Sequence, residues 1–302
     1  MKNPAIKGYI WAFIGILAVS NVYIFSKAAL LEVHITQFGF YWFAFGLLWN
    51  LIYAIKSCKL STFRNLHKKQ FGILFLVGIL EVIGTTSFFY GIQTLENPSV
   101  AAFLANMSPV FVTILGIAVL KERFNYFELA GMLLTVGGAF IISYHGQGSI
   151  KELFIPGTEY IIFSSFIFAF STIIIKRNIV SLPPALLSLN RVIYLFIFST
   201  IMIIVFGQSF QISNSALINI SIGSVLGPFL TVFAAYNALK YIEASRQSIL
   251  GSTKGIFVLV GAYIYFNSIP YGYQIIGGII SIIGVLLVTF GRIKIIKKKP
   301  IQ

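Results

Sequence analysis

The most constraining feature of the sequence is a succession of apolar stretches, each close to the length needed to cross a lipid bilayer. A helix of about 20 apolar residues spans the hydrocarbon core of roughly 30 Å. Because backbone polar groups in lipid must be satisfied within the segment, these stretches predict transmembrane helices and an all-α integral membrane protein. The ten stretches lie at residues 8–27, 37–55, 71–92, 98–119, 127–144, 159–175, 185–206, 217–239, 244–266 and 272–291.

The composition excludes a soluble globular domain. Hydrophobic residues make up 58% of the 302 residues and charged residues only 10%, whereas soluble domains carry about 25% charged residues. All eight acidic residues are glutamates, as expected where an aspartate at mid-bilayer costs about 2.5 to 3.5 kcal/mol. The single cysteine, Cys58, excludes an internal disulfide, and no Cys/His cluster has metal-ligand spacing. We therefore expect neither a metal nor a cofactor.

Membrane topology explains the basic charge better than nucleic-acid binding does. The net charge is +14, but the lysines and arginines lie in short segments between the apolar stretches rather than on one basic face. If the N-terminus is cytoplasmic, only Lys27 and Lys151 among these basic residues fall outside. The positive-inside rule therefore predicts that both termini are cytoplasmic. We expect a multi-pass protein of a bacterial cytoplasmic membrane with lipid contacts and no nucleic-acid partner.

The sequence is also an internal duplication. Residues 8–27 align with residues 157–176 at an offset of 149, and a second alignment at an offset of 146 relates residues further along each half. Five apolar stretches fall in each half, and an odd number inverts the second half in the membrane. We predict repeats at 1–145 and 155–292 and a basic cytoplasmic tail at 293–302. Pairs at the offset of 146 are Tyr90 and Tyr236, Gly131 and Gly277, and Gly138 and Gly284.

Inverted repeats are typical of secondary transporters, which bind substrate near the bilayer midplane between the halves. Duplication also builds channels and structural membrane proteins. The sequence contains no phosphate-binding loop, no nucleophile elbow and no HExxH motif. We therefore expect no enzymatic activity and no nucleotide-driven pumping. An ion gradient would supply the energy, with a proton as one candidate coupling ion.

Two charged residues lie where burial is most costly. Glu81 occupies the centre of the third stretch, out of reach of either interface, and Lys254 the middle of the ninth. The first half has Ser108 at the position equivalent to Lys254. One explanation is a structural Glu81–Lys254 pair that holds the halves together. The other is a binding site in which Lys254 attracts a carboxylate or phosphate, while Glu81 carries a coupling proton or binds an amine.

Further polar residues inside the stretches are weaker candidates for the binding site. Arg191 lies about one and a half turns into the seventh stretch, so it either snorkels to the cytoplasmic interface or contacts substrate. Asn21 and Asn106 are candidates for substrate binding or for bonds to neighbouring backbone carbonyls. Asn106 is the stronger of the two because it lies one turn from Pro109. We expect kinks that free backbone carbonyls at Pro109 and at Pro228, since each lies inside an apolar stretch.

Aromatic residues are divided between the candidate cavity and the lipid interface. Trp11, Tyr90 and Tyr236 are candidates for cavity lining, although packing or anchoring explains any one of them as well. Trp42 is expected to anchor the protein in the lipid or at the interface.

Several motifs together resemble a known transporter family. They are the segment PSVAAFLANMSPVF at 98–111, the polar turn LKER at 120–123, GMLLTVGG at 131–138, and ALKYIEAS at 238–245. This pattern is similar to EamA-type members of the drug/metabolite transporter superfamily. The resemblance implies two EamA domains of five helices and a secondary transporter, commonly an exporter of amino acids or other small metabolites. It identifies no substrate, because the shared motifs are turns and packing glycines.

The leading hypothesis is a transporter with a central cavity formed by stretches 1, 3, 4, 6, 8 and 9. Two alternatives remain open: a protein that handles lipid headgroups through a lateral opening, and a non-transporting membrane scaffold. The candidate residues for substrate or ion binding are Glu81, Lys254, Asn106, Tyr90, Tyr236, Trp11, Asn21, Ser108 and Arg191.

Overall fold

The regular elements of the protein are helices throughout the residues described by a computed structural model, which are 4–57, 66–120, 125–143, 155–179, 181–242, 247 and 250–298. Cys58, Lys151 and parts of two family-like turns lie outside these ranges. In chain order the helices are α1 (Pro4–Leu30), α2 (Ile35–Ser57), α3 (Lys68–Thr94), α4 (Pro98–Leu104), α5 (Met107–Leu120), α6 (Tyr126–Ser143), α7 (Thr158–Asn178), α8 (Pro184–Val205), α9 (Asn214–Ser224), a π-helical segment (Val225–Thr231), α10 (Val232–Tyr241), α11 (Lys254–Phe266) and α12 (Gly272–Lys298).

Length and composition allow seven helical stretches within the described residues to cross a membrane. Three further apolar helices are shorter. Large apolar side chains such as Leu133, Ile204 and Ile264 are well exposed on the outer surface, as expected for helices in contact with lipid. The seven are Ile6–Leu30, Ile35–Tyr53, Lys68–Thr94, Pro98–Gly116, Thr158–Asn178, Pro184–Val205 and Asn214–Tyr241, and the shorter three are Leu129–Ser143, Leu250–Phe266 and Gly272–Leu287.

The helices are irregular at both prolines that the sequence places inside apolar stretches. The stretch at 98–119 is interrupted between α4 and α5, where the Ala105 carbonyl accepts a hydrogen bond from the Ser108 amide at 3.2 Å. Pro109 follows immediately and lacks an N–H to continue the ladder. Pro228 lies inside the π-helical segment, and its carbonyl accepts from Asn50 Nδ2 at 3.0 Å. The predicted irregularities at the prolines are therefore confirmed.

Helices α6 and α12 cross at glycines that are equivalent in the two halves. A Cβ atom added at Gly138 would lie 2.6 Å from the carbonyl oxygen of Gly277, and one added at Gly284 would lie 2.6 Å from that of Gly131. The contact is reciprocal. Gly138 and Gly284 are equivalent in the two halves, and so are the residues that they meet, Gly277 and Gly131. Such reciprocity is the signature of a two-fold contact. Only glycine allows backbones to approach this closely.

Two lysines make equivalent contacts in the two halves. Lys27 lies in the last turn of α1 and donates through Nζ to the carbonyl oxygens of Gln93 at 2.9 Å and Leu95 at 2.6 Å, at the end of α3. Lys176, its counterpart in α7, donates to the carbonyl oxygen of Leu239 at 3.1 Å, near the end of α10. Gln93 and Leu239 are themselves 146 positions apart. Each lysine therefore neutralises the negative end of the equivalent helix.

The largest core cluster of the described residues includes aromatic side chains of α2 and α3. Trp42 has only 1% of its surface exposed, and its ring packs against Phe38 and Phe89. Gly223 lies directly against the same ring. The expectation that Trp42 is a lipid anchor is therefore wrong. Gly223 of the neighbouring helix leaves room for the indole. The periodicity of the sequence alone does not reveal this space.

Candidate functional site

A cavity of about 320 Å³ lies between the two halves of the chain. All six apolar stretches that the sequence assigns to the cavity contribute to its lining, and α2 and α8 contribute in addition. Most of its wall is apolar, with polar groups concentrated in a few places, as is usual for a small-molecule site. The polar lining residues other than tyrosines are Glu81, Thr85, Ser108, Ser164, Ser165, Thr172, Arg191, Thr231 and Lys254.

Glu81 is paired with Arg191, not with Lys254. The distance from Arg191 Nε to Glu81 Oε2 is 2.7 Å, and both side chains are largely buried, with 12% and 7% of their surfaces exposed for Arg191 and Glu81. Arg191 also donates to Thr85 Oγ1 at 2.9 Å. The hydroxyl of Ser171 donates to Glu81 Oε1 at 2.8 Å. Both carboxylate oxygens therefore have a partner.

The packing of α3 against α8 explains this pairing. Asn190 donates to the carbonyl oxygen of Leu74 at 2.9 Å, and the Tyr194 ring lies within 2.6 Å of the Cβ that Gly78 lacks. Two parallel helices are thereby held in close contact on both sides of Arg191. The guanidinium is directed inward to the carboxylate instead of snorkelling to the interface. The structure thus places Arg191 at the cavity and leaves the Glu81–Lys254 pair unformed.

Lys254 begins α11 at a break in the ninth apolar stretch. Residues 250–252 are helical, Thr253 forms a turn, and the helix resumes at Lys254. The Lys254 ammonium faces Asn106 Oδ1 and the carbonyl oxygen of Gly251, each at 3.4 Å. Among the described residues, no carboxylate lies within salt-bridge distance of it.

Two equivalent helix breaks therefore meet at the cavity. Asn106 lies in the gap between α4 and α5, almost at the position equivalent to Thr253. Asn106 is fully buried, and within the described residues its Nδ2 has no hydrogen-bond partner. The Phe103 ring fills the space beside Gly255, where a Cβ would lie 2.5 Å from the ring. Interrupted helices at mid-membrane are the usual source of exposed backbone groups for substrate and ion binding.

Six of the nine predicted site residues lie at or beside the cavity. Glu81, Ser108, Arg191, Tyr236 and Lys254 line it, and Asn106 contacts Lys254. The structure does not bring the other three predicted residues to this cavity. Trp11 packs edge-on against Phe233, Asn21 is exposed and donates to the carbonyl oxygen of Leu17, and Tyr90 packs against Tyr160 at the periphery.

Sequence reasoning missed several lining residues. Ser164 and Ser165 line the cavity although both hydroxyls donate to the carbonyl oxygen of Ile161 at 2.8 Å. The pair of small polar residues inside a stretch otherwise rich in phenylalanine and isoleucine is a signal that could have identified them. Trp42 and Phe168 also line the cavity, but their sequence context offers no comparable signal.

The electrostatic balance of the lining favours an anion. Its charged residues within the described chain are Glu81, Arg191 and Lys254. The first two compensate each other when ionised, so the lining carries one net positive charge. A buried cation without a carboxylate partner is costly in the apolar surroundings of a membrane and points to a functional site. An anionic group of a ligand would compensate that charge.

The chain is similar to known transporters, and the family match divides it into the same two halves. A profile of the EamA-like transporter family matches residues 6–144 and 156–290. An uncharacterized transporter of Archaeoglobus fulgidus is 27% identical to the chain, covering 88% of it and 92% of the relative. An uncharacterized transporter of Synechocystis sp. is 23% identical and covers 80% and 72% of the two chains. A WAT1-related protein of Arabidopsis thaliana is 24% identical, covering 76% and 75%.

The fold is similar to that of a protein of known crystal structure. The two chains superpose with a TM-score of 0.71 over 95% of this chain and 98% of the other, at 15% sequence identity. At this level of identity the likeness concerns the fold alone.

Proposed function

The chain belongs to the EamA-like transporter family, and from this premise we propose that it is a secondary active transporter that exports small metabolites such as amino acids or related compounds. The resemblance indicated by the sequence is thereby confirmed, and the protein is a multi-pass membrane transporter of the drug/metabolite type. Binding of a substrate carboxylate by Lys254 is the central element of the proposal. The observation that carries it is the Lys254 ammonium in the cavity lining without a carboxylate partner among the described residues.

The proposed mechanism is alternating access between two inverted five-helix repeats, each crossing the membrane five times. Seven long apolar helices and three shorter ones support ten crossings. The reciprocal glycine contacts of α6 and α12 and the equivalent lysine contacts of α1 and α7 support the symmetry of the halves. Exchange of the two halves' conformations would open the cavity to alternate sides. The basic residues favour cytoplasmic termini.

Arg191 and Glu81 provide a second binding step. A substrate carboxylate near Lys254 would compete with Glu81 for the Arg191 guanidinium, which forms strong charge-assisted hydrogen bonds with carboxylates. A proton on Glu81 would weaken its pairing with Arg191 and free the arginine for substrate. Proton binding and anion binding would then favour each other. The proton and the anion would then cross the bacterial membrane in the same direction, so the outward gradient of the anion would drive export and a proton would leave with it.

Transport and binding by purified protein test this proposal. The wild type, Lys254→Met and Lys254→Arg would be reconstituted in proteoliposomes and screened with amino acids and organic acids. Lys254→Met is expected to reduce uptake of the recognised anion at least tenfold, and Lys254→Arg to retain part of it. Lys240→Met is the matched control, because Lys240 is exposed at the end of α10. Full uptake by Lys254→Met would contradict the role of the cavity lysine.

A further inference from the structure

A second, apolar cavity lies beside the first, between α3 and α8. We call it the lateral pocket, and its volume is about 310 Å³. Its side walls are formed by Thr85, Thr86, Phe89 and Tyr90 of α3 and by the second half of α8, and its floor by the start of α2. The residues from α8 and its end are Phe198, Ser199, Met202 and Phe206, and those from α2 and the turn before it are His34, Ile35, Thr36, Phe38, Gly39 and Phe43.

The pocket lies between two helices that are in contact elsewhere along their length. Helices α3 and α8 are parallel and touch at Gly78 and Tyr194 and at the Glu81–Arg191 pair. One turn later, from Thr85 onward, their facing side chains line the pocket instead. Helix α2 contacts α8 beside this pocket, where a Cβ at Gly39 would lie 2.9 Å from Ser199 Oγ.

The lateral pocket and the central cavity share part of their walls. Phe43, Thr85 and Phe89 line both. The hydroxyl of Thr85, which belongs to this shared wall, accepts a hydrogen bond from Arg191 at 2.9 Å. These side chains therefore form part of the wall between Arg191 and the apolar pocket. Aromatic rings can change rotamer to open such a wall, whereas a backbone cannot.

We infer that the lateral pocket binds the apolar chain or ring of the transported anion, while its carboxylate lies in the central cavity near Lys254 and Arg191. The inference rests on the proposed function and adds the substrate class: monocarboxylates with an apolar portion. The charged end of such a molecule compensates the net positive lining, and the apolar end displaces lipid or water from a pocket with few polar groups. Small, fully polar anions would use only the central cavity.

A homologous series of straight-chain acids from acetate to decanoate tests the inference with the full-length protein in lipid nanodiscs. Each added methylene is expected to tighten binding about fourfold until the pocket is filled. Thr86→Trp should abolish this dependence on chain length and leave acetate binding unchanged, because Thr86 lines only the lateral pocket. Ile83→Trp is the matched control, since Ile83 is exposed on the same helix and lines neither cavity.

The outcomes separate this inference from the proposed function. Wild-type binding of acetate without any gain for longer acids would overturn the lateral pocket and leave the charged site intact. The lateral pocket would also be overturned if affinity depended on chain length equally in Thr86→Trp and in the control Ile83→Trp. Partition of the acids into lipid is identical for the two variants, so it cannot hide a difference between them. Lys254→Met should weaken all acids by one common factor. Unchanged affinities in Lys254→Met, with the dependence on Thr86 retained, would overturn the proposed function and support the pocket.

Discussion

The buried Glu81–Arg191 pair makes a quantitative prediction about stability. Removing Arg191 leaves a carboxylate that is 7% exposed with Ser171 as its remaining partner among the described contacts. Breaking a buried pair by removing one partner costs about 3 to 5 kcal/mol, whereas replacing both partners by apolar groups is often nearly neutral. Arg191→Met and Glu81→Met should each lower the free energy of unfolding by about 3 kcal/mol or more.

The double variant distinguishes pairing from packing. If the pair is the cause, Glu81→Met with Arg191→Met should lie within about 2 kcal/mol of the wild type, because no buried charge is left. The coupling free energy is then about 4 kcal/mol or more, whereas side chains that do not interact give less than about 0.5 kcal/mol. Equilibrium unfolding in mixed micelles, followed by tryptophan fluorescence, measures all four proteins. A coupling free energy below about 1 kcal/mol would refute the reasoning.

Two further predictions concern packing and pH. Gly138→Ala should destabilise the protein by about 1 to 3 kcal/mol through overpacking, because its Cβ would meet the Gly277 carbonyl. Adjacent Gly137 faces open space, so Gly137→Ala should unfold no more easily than the wild type. Equal losses of stability in the two variants would contradict the close crossing of α6 and α12. Hydrogen bonds from the Ser213 and Ser215 hydroxyls lower the pKa of Glu32 in the loop after α1. A lowered folded-state pKa gives stability that is complete above the unfolded value of about 4.3 and lost as the pH falls through the folded value. The unfolding midpoint of Glu32→Gln should therefore lie below that of the wild type at pH 7, and the difference should vanish in acid; a constant difference would contradict this.

Much of the fold follows from local properties of the sequence. Helices in lipid satisfy their own backbone hydrogen bonds, so an apolar stretch such as 71–92 predicts a helix without knowledge of its neighbours, and the structure has α3 at Lys68–Thr94. Proline acts equally locally, which is why the irregularities near Pro109 and Pro228 were predictable. The glycine pairs at the offset of 146 indicated related halves before any contact was known.

The candidate site was only partly predictable, because a site is made by contacts between distant residues. The cost of burying Glu81 and Lys254 is visible in the sequence, and both side chains line the cavity. The partner of Glu81 is not visible, since Arg191 lies 110 positions further along the chain. The depth of Arg191 in the stretch left open both an interface position and a substrate contact, and the close contact of α3 with α8 brings it to the carboxylate. Equivalence in the repeat also does not fix a residue's place at the site. Tyr236 lines the central cavity, whereas its equivalent Tyr90 does not.

By itself the sequence determined the class of protein, the helices, the relation between the halves and the residues that are expensive to bury, because each follows from the free energy of transfer into lipid or from a local backbone constraint. The tertiary structure alone decided which of those residues meet. It paired Glu81 with Arg191, left Lys254 facing Asn106 at two equivalent helix breaks, and formed an apolar pocket between α3 and α8 beside the cavity. These outcomes depend on how closely helix surfaces can approach, and that depends on side chains from both helices at each crossing.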